Sequence, residues 1–107
     1  MLNQTVVVTV DRPLGSVHPE HTDMYYPVNY GYIPGTIASD GEEQDAYILG
    51  IDEPLAVFTG KVIAIIFREN DIEHKLVVAP EGINFTQEEI RALTHFQEQY
   101  FEIRILM

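Results

Sequence analysis

Four carboxylates, Asp40, Glu42, Glu43 and Asp45, stand within six residues in the stretch SDGEEQDAYILG, Ser39 to Gly50. Like charges at this spacing repel unless water or a cation separates them. Asp40, Glu42 and Asp45 fall at i, i+2 and i+5, and Gly41 permits a tight turn between them. If Asp45 opens a strand, that turn can aim all three at one point. Magnesium takes such ligands, one or two carboxylates with waters and substrate oxygens completing its shell. The glycine and late glutamate of an EF-hand loop are absent. From these residues alone, a solvated turn and a cation site both stay open.

Arg68 to Lys75 (RENDIEHK) forms a second polar group. It reads as an exposed hairpin turn, or as a place where Glu73 and Lys75 share a face at a strand start. There they would hold a cation and an anionic oxygen side by side. YYPVNYGY packs four tyrosines into eight residues, Tyr25 to Tyr32. Some suit a core, yet phenol hydroxyls and the Asn29 amide are also neutral donors for phosphate oxygens. His18 and His21, three apart in a loop, are solvated or are metal ligands.

Short strands must carry these groups. Thr5 to Val10 is β-branched and ends at Asp11-Arg12-Pro13. The prolines in YYPVNYGYIPG exclude a helix there. Asp45 to Ile51 and Lys61 to Arg68 read as strands, with Asp52-Glu53-Pro54 and Thr59-Gly60 as breaks, and His74 to Ala79 as another. Thr86-Gln87-Glu88-Glu89 has the form of a capping box. Ile90, Leu93, Phe96, Gln97, Tyr100 and Phe101 then recur at helical spacing, so that one face should pack on the sheet. Phe101 to Leu106 alternates as a last strand. The expectation is a single domain over residues 1–107, mainly β with one C-terminal helix, as a small antiparallel OB-like barrel.

Composition narrows the partners. The chain has 107 residues, 46 % of them hydrophobic, enough for one core. It has no cysteine, which excludes disulfides and thiolate zinc sites. Its apolar runs are too short to span a bilayer, and the N-terminal residues lack a signal-peptide pattern, which fits a cytoplasmic protein. Seventeen Asp and Glu against six Lys and Arg give a net charge of −11. That excludes a nucleic-acid backbone as partner, and an anionic small molecule is accepted only where metal ions invert the local sign.

YPVNYGYIPGT followed by DGEEQD resembles the soluble, magnesium-dependent inorganic pyrophosphatases. In that family a Tyr-Pro-x-Asn-Tyr-Gly-Phe/Tyr-Ile segment precedes Asp-Gly-Asp-Pro-x-Asp at nearly this spacing. HKLVVAP is similar to the family's Asp-x-Lys-(apolar)-x-Ala-x-Pro strand, with Glu73 in place of its aspartate and Lys75 matching its lysine. HFQEQY resembles its helical His-Phe-Phe-x-x-Tyr. VTVDRPLGS is a fainter echo of its Ile-Pro-x-Gly-Ser start.

The resemblance implies hydrolysis of pyrophosphate, or of a related small phosphoanhydride, to two phosphates by a metal-activated water. Carried over, Asp40, Asp45 and Glu73 would hold Mg2+, with Mn2+ as the substitute, and Glu42 would help deprotonate the water. Tyr30, Lys75 and Tyr100 would contact phosphate oxygens, and the chain would form a homo-oligomer. The departures are mostly cationic. No arginine stands shortly before Tyr25, Phe101 replaces a lysine, and Glu42 is one methylene longer than the usual aspartate. A further metal-binding aspartate is expected near Glu69. Two readings stay open: a shortened pyrophosphatase, or a non-catalytic relative that keeps a divalent-metal and phosphate-ligand site.

Overall fold

The computed structural model describes all residues from Met1 to Met107. Six strands and one helix run in the order β1 (Thr5–Arg12), β2 (Asn29–Ile33), β3 (Gln44–Ile48), β4 (Val57–Arg68), β5 (His74–Ala79), α1 (Gln87–Glu98) and β6 (Ile103–Leu106). Hydrogen-bonded neighbours run β1-β2-β3-β5-β4-β6, and β1 also pairs with β4. That last pairing closes five strands into a barrel, with β6 added outside β4. The expected OB-like barrel with one late helix is present, with one difference. β3 and β5 are parallel, Ala46 opposite Leu76 and Ile48 opposite Val78, because the chain crosses through β4 between them.

Side chains alternate along these strands into two apolar clusters. Val8, Val10, Ile33, Ala46, Ile48, Val62, Leu76 and Val78 come from all five barrel strands and fill the interior. Tyr30, Tyr47, Leu49, Ala64, Ile66 and Val77 point the other way, against Ile90 of α1 and Ile105 of β6.

Thr59-Gly60 does not break the chain as expected. Both residues lie within β4, paired with Val7 and Val6 of β1. A Cβ on Gly60 would come 2.4 Å from the Phe58 ring and 2.8 Å from the Ala79 carbonyl oxygen. This glycine marks close backbone approach rather than a turn. Gly31 of β2 does the same against β1, where a Cβ would lie 1.9 Å from the Thr9 carbonyl oxygen.

The capping box forms as read: Glu89 N–H donates to Thr86 Oγ1 at 3.1 Å, and Thr86 N–H to Glu89 Oε1 at 2.8 Å. The buried stripe differs from the apolar spacing. Ile90, Thr94 and Glu98 are its buried residues, at i, i+4 and i+8, while Leu93 is exposed. Polar groups on the barrel wall draw Glu98 inward. Tyr100 and Phe101 lie beyond the helix end.

Two of the strands each carry one residue more than their partners. Val10 and Arg12 of β1 face Gly31 and Tyr30, adjacent residues of β2, so Asp11 is an extra residue. Val62 and Ala64 of β4 likewise face the adjacent Val78 and Val77, so Ile63 is extra. Each is a β-bulge, and each reverses the side on which later side chains project.

Candidate active site

The two bulges put two arginines on the outer wall of the barrel. Without its bulge, the alternation that sends Val8 and Val10 inward would send Arg12 inward too. Instead Arg12 stands opposite Tyr30. In β4, the bulge moves Ala64, Ile66 and then Arg68 to the outer face beneath α1. Asp45 and Lys75 reach the same face by plain alternation, two residues before Tyr47 and Val77.

A cavity of about 610 Å³ opens here, lined among others by Arg12, Tyr30, Asp45, Arg68, Lys75 and Tyr100. Lys75 Nζ donates to Asp45 Oδ2 at 2.6 Å and the Tyr30 hydroxyl donates to the same oxygen at 3.0 Å. Lys75 Nζ is also 3.4 Å from Glu73 Oε1, and Arg68 Nη1 donates to Glu73 Oε2 at 3.0 Å. On the helix side, Glu98 receives Arg68 through both oxygens, Nε at 2.9 Å and Nη2 at 2.8 Å. The Tyr47 hydroxyl donates to Glu98 Oε2 at 2.6 Å and accepts from Gln97 Nε2 at 2.8 Å. Gln97 Oε1 accepts from the Tyr26 hydroxyl at 2.9 Å, which in turn accepts from Arg12.

The electrostatics derive from this wiring. Burial, then the Asp45 charge, pushes the Tyr30 phenol well above its ordinary range. Burial and the Glu98 charge do the same to Tyr47. Both remain neutral donors. Burial opposes the Arg68 charge, but the hydrogen bonds and charge of Glu98 outweigh it, so its pKa is raised. His18 is held below the usual imidazole range by burial and then by Arg12. Its Nδ1 accepts the N–H groups of Glu20 at 3.0 Å and His21 at 3.2 Å, and both histidines line the cavity.

Of the residues singled out in the sequence, Tyr30, Asp45, Lys75 and Tyr100 line this cavity. Glu73 touches it through Lys75 and Arg68. Asp40 is exposed on the turn before β3; the N–H of Glu42, at 3.0 Å, lowers its pKa first, and a side-chain contact with Glu73 second. Glu42 is exposed on that turn and is not among the lining residues. Glu69, near which the family pattern places another carboxylate, faces outward to Arg104 at 3.0 Å. Asn29 is no phosphate donor: it is buried, and its amide group binds the backbone of Leu14, Glu53 and Leu55. Tyr25 is exposed and Tyr26 is held between Arg12 and Gln97, so Tyr30 alone of the four early tyrosines lines the cavity.

The carboxylates supply only hard oxygen donors, the kind a magnesium or manganese ion takes. No three acidic or imidazole groups converge on one point as the side chains stand. Lys75 takes that place between Asp45 and Glu73. The cations that the sequence pattern lacks are partly present in space, since Arg12 and Arg68 join Lys75 on the wall. Reading strict alternation along β1 and β4 hides both.

The profile of the family described as "Inorganic pyrophosphatase" matches residues 3–104. The inorganic pyrophosphatase of Aquifex pyrophilus is 34 % identical over 92 % of this chain and 62 % of its own length. That of Gluconobacter oxydans is 34 % identical over 88 % of this chain and 65 % of its own length. The chain thus spans about three fifths of these curated relatives. The solved inorganic pyrophosphatase of Ehrlichia chaffeensis superposes with a TM-score of 0.74 at 20 % identity, over 99 % of this chain and 87 % of that one. The profile covers nearly the whole length, and the chain belongs to the inorganic pyrophosphatase family.

Proposed function

We propose that this protein hydrolyses inorganic pyrophosphate to two phosphates in a magnesium-dependent reaction, with manganese as a substitute ion. One observation carries the reading: three cationic side chains and the Asp45 carboxylate share one cavity wall with the Tyr30 and Tyr100 hydroxyls. A pyrophosphate tetra-anion needs such cations, and an attacking water needs a nearby carboxylate.

In this reading Asp40, Asp45 and Glu73 hold the divalent ions. Bound there, such an ion supplies charge for the phosphate oxygens and lowers the pKa of water. Lys75 leaves Asp45 for a phosphate oxygen when substrate enters, which frees the carboxylate. Arg12, anchored on Tyr26, orients a second oxygen, and Tyr30 and Tyr100 donate to others. Asp45 lines the cavity and Glu42 does not, so Asp45 accepts the water's proton in the first place. Glu42 contributes only from the neighbouring turn. Self-association and a cytoplasmic setting complete the proposal.

Phosphate release from pyrophosphate by the purified protein, titrated with Mg2+ and then Mn2+, tests this. Asp45→Ala should abolish metal-dependent release, a loss of at least about 10³-fold. Metal binding without release in the wild type would favour a non-catalytic relative that keeps the ion site.

A further inference from the structure

Glu73 is approached by a cation of the chain on each of its oxygens, and the two cations differ in freedom. Lys75 Nζ lies 3.4 Å from Oε1. It is a single ammonium on a flexible stem, and its main partner, Asp45, is one-third exposed. Arg68 is fixed. Its Nη1 meets Glu73 Oε2 at 3.0 Å, while Nε and Nη2 grip the two oxygens of Glu98. The guanidinium carbon lies 3.8 Å from the centre of the Phe101 ring. Glu98 is 1 % exposed, so an arginine that swung away would leave a buried carboxylate without its counter-charge. That is strongly unfavourable.

We propose that Arg68 is a built-in cation that holds the outer oxygen of Glu73 and keeps a divalent ion from it. Metal binding then centres on Asp40, the inner oxygen of Glu73, and Asp45. The inference rests on those three carboxylates being the metal ligands. Its physical basis is that a permanent unit charge against a ligand oxygen repels a second cation and occupies one of the oxygen's acceptor sites. Lys75 can yield to a metal ion by turning toward substrate. Arg68 has nowhere to turn, because Glu98 and Phe101 hold its other side. The charge is therefore part of the site whether or not an ion is bound.

The test is Mn2+ binding, counted by electron paramagnetic resonance of free Mn2+ and by calorimetry, without pyrophosphate. Arg68→Met alone would bury an unpaired Glu98 and risk unfolding, so it is made on a Glu98→Gln background. Glu98→Gln by itself is the reference, since it already lacks the buried carboxylate. Relative to that reference, the double variant should bind Mn2+ at least about tenfold more tightly. Arg68→Lys, which keeps the charge, should stay within about threefold of wild type. General damage to the fold would weaken binding, so a gain is the discriminating sign. Equal affinity in the reference and double variants overturns the role of Arg68 and leaves the metal ligands standing. Absence of Mn2+ binding by the wild type at millimolar concentration overturns the ligand assignment, and this inference with it.

Discussion

The eight buried side chains inside the barrel are all aliphatic, from Val8 to Val78, whereas the ten outside it include Tyr26, Tyr30 and Tyr47. Strands β2 to β5 contribute to both clusters, while β1 adds only to the inner one and α1 and β6 only to the outer. Along β3, Ala46 and Ile48 face in while Tyr47 faces out; along β5, Leu76 and Val78 face in while Val77 faces out. The inner cluster carries no polar atom and has nothing to orient. In the outer one, each buried ring ends in a hydroxyl that touches Arg12, Asp45 or Glu98. The rings pack edge to face, Tyr30 on Tyr47 at 4.9 Å and Tyr47 on Phe96 at 6.0 Å, which fixes those hydroxyls. The inner face therefore supplies cohesion, and the outer face converts cohesion into placed charge.

That division can be broken from either side. Leu76→Ala empties a fully buried interior position and should cost about 3 kcal/mol in urea unfolding. The kcat of the folded fraction should hardly move. Arg12→Met is the mirror case: KM for pyrophosphate should rise about 10²-fold, with an unfolding midpoint close to wild type. Tyr47→Phe crosses the boundary. It leaves Glu98 Oε2 without one donor and Gln97 Nε2 without its acceptor, and should cost about 1–2 kcal/mol on the same denaturation assay. Glu42→Asp should be smallest, within about twofold in steady-state hydrolysis, because Glu42 lies on an exposed turn outside the cavity. A large loss there would mean that the turn reaches the reacting water.

The sequence speaks clearly where a rule is local. His74–Ala79 is a strand with the bounds read from its residues, and the capping box at Thr86 forms both of its hydrogen bonds. Tyr30, Asp45 and Lys75 meet because each lies on a strand of plain alternation. Legibility fails where one strand must fit another. The extra residues at Asp11 and Ile63 exist only relative to their partners in β2 and β5. No pattern within β1 or β4 announces them, so Arg12 and Arg68 stay out of sight. Gly60 misleads for the same reason, since its need for space comes from Phe58 and Ala79. Glu98 breaks the apolar spacing of α1 because its partner Arg68 comes from β4.

In the gene, the bulge at Ile63 corresponds to a single codon. Removing it would change no residue of the cavity, and barely change the composition of β4. Its loss would leave Val62 opposite Val78 and Ala64 opposite Val77, so every later side chain would keep its face and Arg68 its place on the cavity wall. The in-frame loss of the Ile65 codon, a residue paired one-to-one with Leu76, would instead make Ile66, Phe67 and Arg68 trade faces and turn Arg68 toward the barrel interior. Two descendants equally short by one residue would thus differ in chemistry by a whole cation or not at all, according to which codon of β4 was lost.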